Sequence, residues 1–349
     1  MATTAFGTNH PLAVKVWSNK LFHEALKSTW IYKFVGNSSD SLIQTLTDTQ
    51  KGPGDTIYVG LRTLLSGAGV QGDGVLEGNE EAMNFYRDAL TINQLRHAVR
   101  SEGKMSEQRV PYSVREEAMM GLKDWWADRM DTSFFHAICG NTNQTDTKYT
   151  GNNATTAPDA DHIVFINGLT TEAQIASASA SNVMKVTYIN TLVEKAKVIS
   201  PKIRPLRING EEKYVMFLHP YQVTDLRNNT STGEWLDIQK AAIQGGNISK
   251  NPIYTGALGE YNGVVLHEST RVQSVTANVY RAVLCGAQAA VIGFGQGGGP
   301  NKMSWQEELF DYKNQLGVAG GMIYGLKKTV FNSADFGSIV LPTYAASHG

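Results

Sequence analysis

The stretch from Gly54 to Gly103 limits this chain more than any other. It reads as strand, glycine-studded tip and strand: DTIYVGLRTLLSGAGVQGDGVLEGNEEAMNFYRDALTINQLRHAVRSEG. Ile57, Val59 and Leu61 alternate with Tyr58, Gly60 and Arg62, the period of a half-buried strand. Gly67, Gly69, Gly72, Gly74 and Gly78 punctuate the tip. Phe85 to Val99 then reads as one returning strand, with Leu90, Ile92 and Gln94 on one face and Thr91, Asn93 and Leu95 on the other. A two-stranded ribbon is marginally stable alone. This tip carries too little apolar side chain to bury itself on its own body, so the pattern predicts contact with a neighbouring molecule.

The rest of the chain is rich enough to support such a projection. It has 349 residues, 42% of them hydrophobic, which suits two or three domains around a real core. Lys and Arg total 31 against 32 for Asp and Glu, and no charged tail or basic block stands out. That balance excludes tight sheathing of DNA and leaves room for weak contact along one face. Cys139 and Cys285 sit in apolar settings without a CxxC, which predicts two buried thiols in a reducing compartment. The first residues show no basic region followed by an apolar run, and no run approaches the roughly 18 apolar residues of a membrane span. The expectation is a soluble protein made in the cytoplasm, with no membrane partner.

From Leu12, Val16, Leu21, Leu26 and Trp30 mix with Lys15, Lys20 and Lys27, an imperfect amphipathic helix that reads as an arm lying on an adjacent subunit. Ser113 to Cys139 is the clearest helix. Ser113 and Glu116 have capping-box spacing, and Val114, Ala118, Leu122, Trp126, Met130, Phe134 and Ile138 recur at i+4. The rod would be about 40 Å long. The Asn/Thr-rich tract after Gly140 reads as a solvent-exposed polar loop. Short helices are expected within Thr170 to Ala180, Val186 to Ile199, Pro220 to Arg227 and Glu234 to Ile243. Strands are expected at Tyr214 to Leu218, Val264 to His267 and Gly325 to Phe331. Tyr280 to Ile292 is apolar and alanine-rich, the mark of close packing.

A search for chemistry finds little. The eight histidines make no HxH, HExxH or zinc spacing. His219, before Pro220, fits structural hydrogen bonding, and His267 and Glu268, adjacent on a strand, point to opposite faces. Gly295 to Pro300 lacks the GK[ST] of a phosphate loop, and Pro300 removes an amide. Cys139 stands at a helix C-terminus, where the dipole raises a thiol pKa. No catalytic, cofactor or metal residue is assigned, and the chain reads as a non-enzyme.

The order of arm, long ribbon, capped rod helix, polar loop, mixed domain and returning strand resembles the major capsid proteins of tailed phages, of HK97-like fold, and specifically the N4-like capsid family. The likeness extends over essentially the whole chain. It is carried by LEGNEEAMNFYRDALTINQLRHAVRSEGKMSEQR, by Asn251 to Glu268 (NPIYTGALGEYNGVVLHE), by Arg281 to Gly295 (RAVLCGAQAAVIGFG) and by Gly317 to Val330. It implies an α+β fold with an N-terminal arm at 1–50 and an extended β-hairpin loop at 51–106. A peripheral domain at 107–217 would hold the spine helix 113–139, an axial domain would span 218–312, and residues 313–349 would return to the peripheral domain. It also implies self-assembly as pentamers and hexamers into an icosahedral head enclosing double-stranded DNA, in a virion assembled in the bacterial cytoplasm.

Partners implied are a portal, a separate scaffolding protein, since no long helical segment precedes the arm, and a decoration or cement protein, since no Lys/Asn crosslink pair is apparent. Contact with packaged DNA would be weak and nonspecific. The expected intersubunit residues are Val16, Leu21 and Trp30 on the arm and Leu61, Arg62, Leu76, Tyr86, Arg87, Leu95 and Arg96 on the ribbon, with Glu80, Glu81 and Asp88 as acidic partners. Arginine suits such contacts because its planar fork binds both carboxylate oxygens. Gly256, Gly259 and Gly263 are expected to allow close backbone passage. A nanocompartment shell shares the fold and is set apart by an enzyme cargo. A soluble enzyme would show a pocket of converging titratable groups, and a tail tube or fibre fits the long helix poorly.

Overall fold

Two sheets share one long helix, and the sequence alternation explains how. The computed structural model describes residues 30–47, 54–63, 65–109, 113–177, 181–208, 210–229, 259–296 and 304–348. Val16, Leu21, Gly256, the helices expected from Leu12 and at Glu234 to Ile243, and most of the glycine loop before Met303 lie outside them.

The first sheet has six strands: β1 (Val35–Gly36), β2 (Ile43–Leu46), β5 (Asn93–Arg100), β12 (Ala290–Phe294), β13 (Ser304–Phe310) and β14 (Gln315–Lys328). The 14-residue β14 is its axis, pairing antiparallel with β13, β5 and β12 along its length. A separate two-stranded ribbon is formed by β3 (Thr56–Arg62) and β4 (Phe85–Thr91).

The second sheet has seven strands: β6 (Leu206–Ile208), β7 (Glu211–Leu218), β8 (Glu260–Tyr261), β9 (Val264–Glu268), β10 (Ser274–Thr276), β11 (Val279–Cys285) and β17 (Ser338–Tyr344). Its central strands read as unbroken apolar runs because both faces are buried. Val215, Phe217, Val283, Cys285 and Val340 enter one core with the long helix, while Tyr214, Met216, Leu218, Ala282, Leu284, Ile339 and Leu341 enter a second core. That second core is closed by the helices Val186–Val198 and Pro220–Asn228. The period of two therefore splits each run between two hydrophobic layers. A small hairpin of β15 (Val330–Phe331) and β16 (Ala334–Asp335) leads into β17. Because β17 joins β11 while β12 and β13 join β14, strands from both sides of position 313 share each sheet.

The long helix runs Val114–Ile138 with Ser113 as its N-cap, whose hydroxyl accepts the Glu116 N–H at 3.4 Å. Its first half buries one stripe, Ala118, Leu122 and Trp126, and its last third is buried almost all round, including Asp131, Ser133, Phe134, Phe135 and His136. A helix that dives into a core must satisfy its terminal carbonyls there. Arg281 of β11 does so, donating to Cys139 O at 3.0 Å and Gly140 O at 2.6 Å while pairing with Glu172 at 2.5 Å. Cys139 and Cys285 are free and buried, and burial raises the Cys139 thiol to about 11. His219 caps its helix by accepting Tyr221 N–H at 3.2 Å and stacks on Tyr280, and burial lowers it to about 4.

Candidate intersubunit surface

The returning strand expected at Phe85 to Val99 is two strands broken at Ile92. Before the break β4 pairs only with β3; after it β5 pairs with β14 and belongs to the body. The break is held by amide side chains standing in for a strand partner. Asn153 receives Thr91 N–H at 2.9 Å and returns its own Nδ2 to Thr91 O at 2.7 Å, and Asn152 Nδ2 reaches Ile92 O at 3.2 Å. Ile92 N–H turns away to Asp55 O at 2.8 Å. The Asn/Thr tract, expected to be plain solvent loop, thus clasps the root of the ribbon.

Below this clasp lies a flat seat. Gly293 of β12 and Gly325 of β14 are directly paired, so both present the same sheet face. A Cβ on Gly293 would stand 2.7 Å from Leu90 Cδ2 and 3.2 Å from Ile57 Cδ1, and one on Gly325 would stand 2.6 Å from Thr91 O. The buried root residues Ile57, Leu90 and Ile92 rest there. Lys327 adds an ion pair to Asp88 and a bond to Ala89 O at 3.1 Å, and Asp88 also accepts Val330 N–H at 3.2 Å.

Beyond the seat the ribbon is bare. Tyr58, Leu65, Val75, Leu76, Met83 and Phe85 are between 55% and 69% exposed, and Val70 and Tyr86 are also exposed. Residues 65–87 are exposed throughout. The tip is nevertheless shaped from within. The Glu81 carboxylate receives Ser66 N–H at 2.7 Å and Gly67 N–H at 2.6 Å, which holds its pKa below the ordinary carboxylate value. Glu80 receives Gly78 N–H at 2.7 Å, and Asn79 Nδ2 reaches Val75 O at 2.9 Å.

The residues expected to meet a neighbour therefore divide. Leu61, Arg62, Leu76, Tyr86 and Arg87 lie on the projecting ribbon, with Arg87 over the Tyr58 ring at 5.3 Å. Leu95 and Arg96 lie on β5 in the body, opposite Met322 and Gly321, and Leu95 packs against the main core. Asp88, Glu80 and Glu81 already have partners within the chain. Trp30 packs among Phe34, Phe135, Phe217 and His267 with ring centroids 5.3 to 5.7 Å away, and its N–H and that of Ile31 are received by Asp131, both at 3.1 Å. Gly259 and Gly263 have φ of 86° and 71°, and a Cβ on Gly263 would meet only an ordinary contact at 3.6 Å. Gly263 is kept for its turn, not for close passage. The exposed Tyr58, Leu65, Val75, Met83 and Phe85 are not among the contact residues expected from the sequence, nor are the Asn152–Asn153 clasp and the paired glycines expected there.

Among the described residues, no group of three or more His, Cys, Asp or Glu could hold a metal ion, and no helix is long and apolar enough to cross a membrane. The surface to be explained is the ribbon. A family described as "Phage capsid protein" matches residues 5–347. The major capsid protein of Pseudomonas phage KPP25 is 29% identical, with 95% of this chain and 94% of that one covered. The capsid of Ralstonia phage GP4 is 32% identical over the whole of both chains with a TM-score of 0.78. The capsid of cyanophage Pam1, at 21% identity and a TM-score of 0.75, covers 99% of this chain and 100% of its own and speaks for the fold alone. The α+β architecture thus resembles that of solved phage capsids, and the chain belongs to the phage capsid protein family as a structural, capsid-forming protein.

Proposed function

We propose that this protein is the major capsid subunit of an N4-like phage, tiling a closed icosahedral head of pentamers and hexamers around double-stranded DNA on an HK97-like plan. The observation that carries the reading is the ribbon: a row of bare apolar side chains on a hairpin whose root is locked into the body. Exposed apolar surface of this extent on a slender projection is covered in use. A second copy of the same chain is the partner available in every assembly, and closure by symmetry turns many modest contacts into a durable shell.

In this reading residues 1–50 are the arm, 51–106 the loop that lies over the next subunit, and 113–139 the spine of a peripheral region within 107–217. Residues 218–312 approach the symmetry axes, and 313–349 add strands to both sheets. Leu61, Arg62, Leu76, Tyr86 and Arg87 join Tyr58 and Phe85 in the ribbon contact. Val16 and Leu21 dock the arm. A net charge of -1 suits a shell that encloses DNA without gripping it. A separate scaffolding protein guides assembly in the bacterial cytoplasm, and a portal and a decoration or cement protein join the shell.

Electron microscopy of the purified assembly tests the reading directly, with closed icosahedral particles expected. Phe85→Asp places a charge in the apolar row; the subunit should keep its circular dichroism and melting temperature while particle yield drops at least tenfold. Normal particles from this variant would remove the ribbon from the interface.

A further inference from the structure

Where the chain crosses from the first sheet to the second, it buries a lysine against an aspartate. Lys328 ends β14, and Asp335 lies on β16 just before the chain enters β17. Lys328 Nζ stands 2.7 Å from Asp335 Oδ2, and both side chains are 2% exposed. An ammonium carries three N–H donors. Among the described residues its other acceptor is Ala157 O, at a long 3.4 Å. A buried ion pair offsets its desolvation only when the remaining donors and lone pairs are satisfied as well. This one is underserved, and burial lowers the Lys328 pKa and raises that of Asp335. Both shifts favour the neutral forms, a free amine beside a carboxylic acid.

An amine and a carboxylic acid are the two reactants of an amide bond, and here they are held in contact. One C–O bond beyond Oδ2, the Asp335 carboxyl carbon lies within about 4 Å of the lysine nitrogen, close to a near-attack distance. Burial of both groups shuts out the water that would reverse the reaction. A second carboxylate stands beside them. Asp159 Oδ2 receives Asp335 N–H at 2.6 Å, and the buried His162 holds the same oxygen through Nδ1 at 2.9 Å. The Asp159 charge reaches both Lys328 and Asp335 and favours positive charge on the nitrogen. Attack of an amine on a carboxyl carbon develops that positive charge.

We propose that Lys328 and Asp335 join in an isopeptide bond within one chain, stapling the end of β14 to the β15–β16 hairpin. The lysine nitrogen attacks the Asp335 carboxyl carbon; the N–C bond forms, the bond from that carbon to its hydroxyl breaks, and one amine proton leaves with the hydroxyl as water. No electron is transferred and no further reactant enters. The amide left behind carries a single N–H, for which Ala157 O is the acceptor at hand. Asp159 is a positioning residue that fixes the Asp335 backbone and stabilises the charge developing on nitrogen. Both partners belong to one chain, so the inference does not depend on how copies assemble.

Peptide mass spectrometry of the purified, denatured full chain tests it. Trypsin cuts after a free lysine, and no Lys or Arg follows Lys328. The parent should be cut after Lys327 and protected after Lys328, releasing residues 328–349 as one peptide lighter by the mass of one water, with fragmentation placing the loss across Lys328 and Asp335. Lys328→Arg should abolish the loss. Asp159→Asn should lower the linked fraction at least tenfold in chains that keep native circular dichroism, and Asp159→Glu should restore most of it; an unchanged fraction in Asp159→Asn overturns the part given to Asp159. A parent peptide of full mass overturns the bond itself, whether or not any variant folds. So does a peptide that has lost water but is still cut after Lys328, as a succinimide at Asp335 would be, and so does a loss that persists in Lys328→Arg.

Discussion

Adding one methyl group to each of the paired glycines separates two ways of seating the ribbon. On Gly325 the new Cβ would stand 2.6 Å from Thr91 O and 3.2 Å from Thr91 C, with Asn153 Nδ2 at 3.3 Å. The Thr91 atoms are backbone held by the asparagine clasp, so they move only if both Thr91–Asn153 bonds are disturbed. Overpacking costs about 1–3 kcal/mol, and each strained hydrogen bond forfeits about 0.5–1.5 kcal/mol. Gly325→Ala should therefore destabilise the subunit by about 2–6 kcal/mol. On Gly293 the nearest atoms are Leu90 Cδ2 at 2.7 Å and Ile57 Cδ1 at 3.2 Å, the ends of rotatable side chains. Their adjustment is partly offset by the smaller entropy loss of alanine in a strand, about 0.5–1 kcal/mol. Gly293→Ala should stay within about 1 kcal/mol of the parent. Urea denaturation of unassembled subunits measures both, and hydrogen exchange at the Thr91 amide reports the clasp. Gly325→Ala should accelerate that exchange and, by releasing the ribbon angle, cut particle yield. If Gly293→Ala proves the more damaging of the two, or Thr91 exchange is unchanged in Gly325→Ala, the seat described here would be refuted.

Two further predictions concern charges inside the body. Arg281→Met leaves Glu172 buried without its partner and uncaps the long helix, which should cost about 3–5 kcal/mol; the double variant with Glu172→Gln should recover a measurable part of that loss, and strict additivity in a denaturation cycle would count against the pair. Asp225 is 8% exposed, and burial raises it to about 6 although His348 lies 3.1 Å away. A folded-state value above the unfolded one means that the contribution to stability is complete below about pH 4 and is lost as pH rises through about 6. Asp225→Asn should thus gain on the parent by up to about 3 kcal/mol between pH 4 and 7, and a difference that stays flat across that range would contradict the assignment.

The long helix and the central strands were legible in the sequence because burial imposes a period. Ala118, Leu122, Trp126 and Met130 repeat at i+4, and the run YVMFL reads as a buried strand, whereas Tyr280 to Ile292 reads only as close packing and holds β11 and the start of β12. The split of those runs between two cores follows from alternation, but only once something is known to cover each face. The break at Ile92 was illegible for a related reason. Side-chain alternation continues through Leu90, Ile92 and Gln94, while what changes there is the backbone partner, from β3 to β14 with Asp55 and Asn153 between. Nothing in the side-chain pattern records that switch. The Asn/Thr tract is mostly exposed, as its composition implies, but the clasp by Asn152 and Asn153 was illegible, since amides that bind backbone have the same composition as amides that bind water. The paired glycines lie 32 positions apart and become a seat only through strand register.

The same distinction revises the chemistry of the proposed ribbon contact. From sequence alone the ribbon's charges looked available, and arginine–carboxylate pairs between subunits were the natural expectation. In the fold the carboxylates are occupied at home: Glu81 shapes the tip, Glu80 caps a turn and Asp88 holds the root through Lys327. Asp88 is buried beside Lys327, where breaking the pair would leave a charge uncompensated, while Glu80 and Glu81 hold backbone N–H groups of the exposed tip. Tyr58, Leu65, Val75, Leu76, Met83 and Phe85 have no such cover. Polar groups on the ribbon therefore fix its shape, and its apolar groups retain the free energy that burial against another surface would release, at roughly 25 cal/mol for each Å² removed from water. A projection organised this way keeps one form when alone and still has surface to bury, which is what a subunit needs if it is to remain soluble until its neighbours arrive.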